Sequence, residues 1–259
     1  MTVETHVDAA RERLERERDH IVGERRAYEQ FRSEVAAVGT TTPGGTGGRA
    51  GGVVSVAEVA EPGTANCRQL LETFAETVRP YSVEDVDREE PVLETVREEL
   101  GDGIALALSP STDHGVTPQV KQAIAAKTAE RVTELDSMLA ALGREEDSLE
   151  TAADEVTAVT NWLVEADQTP LSALGFDELR GRHERLERHR ERCRELLTTR
   201  QEHLHSSADA RMTIYQRTVA RFLYRSFPVE FPVLSTVTRL LETLVECQET
   251  VRDHLTRRA

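Results

Sequence analysis

Apolar residues recur every seven positions along two stretches of this chain, 118–166 and 177–226, which are separated by a short joint containing Pro and Gly. In the first stretch Thr128, Leu135, Leu142, Leu149, Val156 and Leu163 mark the repeat, and Val132, Met138, Leu139, Ala152, Ala153 and Val159 complete the stripe. In the second, Leu179, Leu186, Cys193, Leu197 and Leu204 do the same before the register slips onto Ala208, Tyr215, Val219 and Phe222. That spacing lays a seam along one side of an α-helix, and the seam leaves water only against another helix. Helices of this length extend roughly 75 Å each. A compact chain of 259 residues has a radius of gyration of about 18 Å. The pattern predicts an all-α protein: an elongated antiparallel helical bundle or coiled coil, shaped as a rod.

Four regions follow from the same reading. Residues 1–38 form an N-terminal amphipathic coiled-coil helix, with Val7, Leu14, Ile21, Tyr28 and Val35 as one series and Val3, Ala10, Phe31 and Val38 as the other, broken at Glu17 and Glu24. Residues 39–52, GTTTPGGTGGRAGG, read as a flexible linker. Residues 53–116 form a small irregular helical region. VVSVAEVA reads as an extended loop, helices are expected at 64–79 (stopped by Pro80), from a Ser82/Asp85 capping box, and from Pro91 to Gly101, and GIALALSP follows as a short apolar stretch. Residues 117–259 hold the long helical hairpin and a C-terminal helix opened by Pro232. Thr117-Pro118 suits an N-cap and first helical position. Gly143 is a place where the first arm can bend.

Composition narrows the setting. The chain carries 47 acidic and 32 basic residues, a formal charge of −15, and the only lysines are Lys121 and Lys127. An Arg-for-Lys bias is the ordinary mark of a GC-rich genome. Joined to the acid excess, it points to a cytoplasm at high salt, where surface carboxylates hold water. Cys67, Cys193 and Cys247 follow no metal or disulfide spacing and read as reduced structural thiols. The first residues are charged and lack the apolar core of a secretory signal. No run approaches the ~20 apolar residues of a membrane span. A cytoplasmic protein without membrane insertion is expected.

Three constellations invite chemistry, each with a plainer reading beside it. Glu17/His20 and Glu202/His205 repeat the Glu-x-x-His spacing of di-metal helical bundles, since positions i and i+3 share a helical face. With 34 Glu and eight His in the chain, that spacing arises about once by chance. A partly wet seam with Arg partners is the preferred reading of Glu17. Residues 180–225 hold twelve Arg against five Glu and one Asp, a local +6 in an otherwise acidic chain. Arg211, Tyr215, Arg217, Arg221, Tyr224 and Arg225 form a candidate nucleic-acid or anion-binding set there, because guanidinium groups neutralise phosphates while aromatic rings stack on bases. The plainer reading pairs this arm with the acidic residues of 130–155. Asp113-His114, finally, reads as a turn and not a dyad. No phosphate loop, nucleophile elbow or HExxH motif occurs, and no cofactor is expected.

The segments HVDAARERLERERDHIVGERRAYEQFRSEV, ETVRPYSVEDVDREEP, ELGDGIALAL and VTPQVKQAI, with the Arg-rich helix after them, resemble an uncharacterised all-helical family from salt-loving archaea. The family is a domain of unknown function and carries no site residues across. The resemblance implies the same fold class and the same high-salt setting. From the residues, the expected function is a non-enzymatic helical scaffold or protein-interaction module, self-associating through seams its own helices leave open, with the N-terminal helix the element to exchange. Nucleic-acid binding stands as the alternative and a di-metal enzyme as a remote one.

Overall fold

The computed structural model describes residues 5–40, 62–82, 91–109, 115–209 and 214–258. Expectations placed on 41–60, Asp85, Asp113-His114 and Arg211 lie outside these. The described chain is all-α apart from one minimal antiparallel pairing of short strands. In order, the helices are α1 (Val7–Ala37), α2 (Pro62–Thr77), α3 (Arg79–Ser82), α4 (Val92–Leu100), α5 (Asp102–Leu108), α6 (Pro118–Asp167), α7 (Phe176–His205), α8 (Gln216–Leu223) and α9 (Pro232–Thr256). GIALALSP is thus largely helical. Gly101 separates α4 from α5 with φ +97, a conformation that suits a residue without Cβ. Among the described residues no helix is long and apolar enough to cross a membrane.

The first long arm forms as its pattern predicts. Thr117 Oγ1 accepts the Val120 N–H at 3.2 Å and Pro118 takes the first helical position, so the start is satisfied. The helix runs 50 residues without a break, straight past Gly143.

The second arm is corrected. It is not one helix over 177–226: α7 stops at His205, where Ser206 turns extended and both its N–H (3.0 Å) and its hydroxyl (2.7 Å) donate to the His203 carbonyl. Strand β1 (Ser207–Asp209) then pairs with β2 (Ile214–Tyr215), and α8 follows as a separate short helix. Serine hydroxyls compete for backbone partners and so favour helix ends over interiors. The register slip after Leu204 is the trace of that break.

The chain divides into two compact units, Met1–Arg18 with Leu139–Ala259, and Asp19–Met138. Helices α1 and α6 each give residues to both, so the division cuts across boundaries drawn from linker composition. In the first unit α7 lies along α9, and Leu149, Val159, Leu179, Leu186, Val237 and Leu244 are all buried. In the second, α2, α4 and α5 pack together. There Tyr28, Phe31, Leu70, Phe74, Val96 and Leu108 are buried, with the Phe31 and Phe74 rings edge-on at 5.4 Å. The seam of α1 is covered within this single chain: Val7, Leu14, Ile21, Tyr28 and Val35 are all buried.

Candidate functional site

Helix α8 is eight residues long and sharply two-sided. Gln216, Val219, Ala220 and Leu223 are buried, whereas Arg217, Arg221 and Phe222 are exposed, as is Arg225 just beyond its end. Both ends are pinned from below. Gln216 Nε2 donates to the Ala141 carbonyl at 3.2 Å, and the Tyr224 hydroxyl donates to Glu145 Oε1 at 2.7 Å. The helix is thereby held with its basic side outward. Arg217 lies over the Phe231 ring at 5.7 Å and Arg225 over the Phe222 ring at 5.3 Å, while Arg221 Nε meets Glu230 Oε1 at 2.6 Å. Tyr215 is 51% and Phe222 39% exposed. Tyr215, Arg217, Arg221 and Arg225 are thus all exposed, with Arg217 and Arg221 one turn apart on α8. Tyr224 lies elsewhere: that ring is buried, so it holds the helix and is not open for stacking.

Beneath α8 sits a cluster the sequence reading missed. Glu145 is fully buried and receives a two-pronged contact from Arg200, Nη2 to Oε1 at 2.6 Å and Nη1 to Oε2 at 3.0 Å. His203 Nε2 adds a bond to Oε2 at 2.9 Å, and Arg200 Nη1 also reaches Ser148 Oγ at 2.7 Å. Burial pushes the Glu145 carboxyl up, but His203, the Arg200 charge and the Tyr224 hydroxyl together outweigh it and hold it below the usual carboxylate range. The signal was present in the heptads. Glu145 stands seven residues after Met138 and seven before Ala152, and Arg200 stands seven after Cys193, so a charge interrupts each seam.

A second, half-buried cluster lies in the Asp19–Met138 unit. Arg131 contacts Glu24 at 3.1 Å and Glu134 at 3.1 Å, with Glu99 at 3.8 Å, and the Tyr28 hydroxyl donates to Glu99 at 2.6 Å. Here burial raises the Glu24 carboxyl, Arg131 only partly opposes it, and Glu99 adds to it. Burial and the Glu99 hydrogen bond likewise raise the Tyr28 phenol.

The Glu-x-x-His residues do not form a metal cradle. Glu17 pairs with Arg13 at 2.8 Å, the His20 ring meets Tyr81 at 5.7 Å, and His205 Nδ1 bonds the Gln201 carbonyl at 2.6 Å. Glu202 is exposed. Among the described residues no group of three or more His, Cys, Asp and Glu is placed to hold an ion. The Arg partner expected for a seam carboxylate is present at both Glu17 and Glu24.

Comparison with known proteins locates the chain in sequence space. No curated protein and no solved structure matches it. One family model, described as a domain of unknown function (DUF7260), matches residues 5–248. With nearly its whole length covered by that match, the chain belongs to the DUF7260 family.

Proposed function

We propose that the chain is a non-enzymatic helical scaffold, built as an antiparallel bundle, whose working surface is the exposed side of α8 and whose ligand is a single-stranded nucleic acid. The bundle reading rests on contacts that climb α6 while descending α7: Glu145 with Arg200, Glu155 with Arg192 at 3.9 Å, and Trp162 with His189 at 4.9 Å. The ligand reading rests on one observation. Arg217 and Arg221 stand one helical turn apart on α8 and Arg225 follows just beyond its end, all exposed, with Tyr215 and Phe222 exposed in the same segment. Arg221 takes its carboxylate from Glu230 and not from the acidic stretch of α6. Guanidinium groups supply the phosphate contacts and the rings supply sequence-tolerant stacking.

The test is fluorescence anisotropy of a labelled single-stranded RNA or DNA 12-mer across a salt series. Three phosphate contacts give a slope of log affinity against log salt of about −2. Arg217→Ala with Arg221→Ala weakens binding at least ten-fold while far-ultraviolet circular dichroism stays unchanged. Absence of saturable binding by the parent chain at 50 mM salt removes the reading. Self-association through helical seams has less to recommend it, because the α1 seam is already covered. Sedimentation as a monomer across the same salt series excludes it.

A further inference from the structure

Where α6 ends, the first unit carries a cleft of about 310 Å³ between that end, the connection after it, α7 and α9. That is the small end of the range for small-molecule sites, roughly 300–1,000 Å³, and admits one ring with a short tail. Its wall is apolar, with Trp162 half-buried and Leu186 and Val251 buried at the back. Three charged side chains line it: Asp167, Glu246 and Arg182. Arg182 is turned to the connection, its Nη1 donating to the Thr169 carbonyl at 3.3 Å. Arg185 lies over the Trp162 ring at 5.8 Å, so the indole already attracts a cation. The Cys247 thiol, also in the lining, is pushed up first by burial and then by Glu246 and Asp167.

We propose that this cleft binds a small organic cation with an apolar body, the body against Trp162, Leu186 and Val251 and the positive head between Asp167 and Glu246. A nucleotide is too large, and an organic anion meets the Asp167 and Glu246 carboxylates, while the guanidinium groups of Arg182 and Arg185 are engaged with the Thr169 carbonyl and the Trp162 ring. The site is independent of the α8 surface.

The cleft contains its own reporters. Trp162 is the only tryptophan of the chain, and Cys247 is half-exposed while Cys67 and Cys193 are buried. Titrating the full chain with benzyltrimethylammonium, and in parallel with phenylacetate and benzyl alcohol, compares cation, anion and neutral bodies of similar size. A saturable change in Trp162 fluorescence is expected for the cation, at least ten-fold tighter than for phenylacetate, together with slower iodoacetamide labelling of Cys247 by mass spectrometry. Asp167→Asn with Glu246→Gln, both at exposed positions, removes the cation preference without disturbing the helical spectrum. Equal binding of the three compounds overturns the proposal, as does a preference that survives the double variant. So does the absence of both a saturable fluorescence change and Cys247 protection.

Discussion

The Glu145 and Arg131 clusters bury charge in the two units with opposite polarity. In one, a single carboxylate is surrounded by Arg200, His203 and the Tyr224 hydroxyl. In the other, a single guanidinium is shared among Glu24, Glu99 and Glu134, and the Tyr28 hydroxyl supports Glu99. Both centres fall in one heptad column of α6, since Arg131 and Glu145 are fourteen residues apart with Met138 between them. The difference is sufficiency. Glu145 has both oxygens supplied and is held below the usual carboxylate range, whereas at Glu24 burial outweighs Arg131 and holds the carboxyl above it. A buried pair is weak evidence of net stability until its partners are counted.

The largest effects expected of a single change are at Arg200, which is 2% exposed, and at its partner Glu145. Arg200→Met strands the Glu145 carboxylate and lowers stability by about 3–5 kcal/mol in urea denaturation. Arg131→Met, at a side chain 34% exposed, loses only about 1–2 kcal/mol, because water screens and relaxes that site. Equal losses at the two positions break the comparison.

Acid separates the clusters by sign. The folded chain holds the Glu24 proton more tightly than the unfolded chain does, so that contribution is full below the ordinary carboxylate range and is lost as pH rises through the raised value. Glu145 behaves oppositely: its contribution is full above the ordinary value of 4.5 and is lost as pH falls through the lowered one. Glu145→Gln therefore destabilises by about 3–5 kcal/mol at pH 7, with the gap to the parent closing in acid. Glu24→Gln stays within about 1 kcal/mol at pH 7 and falls behind the parent as pH drops. Urea titrations at pH 7, 5.5, 4 and 3 read both trends.

Single-hydroxyl and single-methyl changes sharpen the picture. Tyr224→Phe and Tyr28→Phe each remove one hydroxyl donor to a carboxylate and lose about 1.5–3 kcal/mol. Only Tyr224→Phe also weakens the nucleic-acid binding proposed for α8. The smallest effect is a gain: Gly143 has open space where a Cβ would sit, so Gly143→Ala raises stability by up to about 1 kcal/mol. At Gly23 the same substitution meets the Tyr81 ring at 2.6 Å and gives no such gain.

The long helices were legible because a seven-residue repeat reports directly on which positions leave water. Pro118, Pro232 and Gly101 act through local backbone geometry, so the boundaries they set were legible too. The end of α7 was not legible, because in the heptad pattern the Ser206-Ser207 break looks the same as a slip of register within one helix. Tyr224 was assigned to the surface because Arg-rich sequence surrounds it, and only the Glu145 carboxylate, 79 positions away in the chain, explains why it turns inward. Arg200 and Glu145 were hidden among many charges, and a seam position alone does not say which distant charge answers it. Arg217, Arg221 and Arg225 were legible as a set from composition, but their exposure depends on how α8 is fastened.

That fastening has a consequence for any ligand. An isolated peptide of eight residues does not hold helical shape in water, so the one-turn spacing of Arg217 and Arg221 is borrowed order, lent by Gln216 at one end and Tyr224 at the other. Cutting either tether leaves every arginine in place in the sequence and dissolves the template that aligns them.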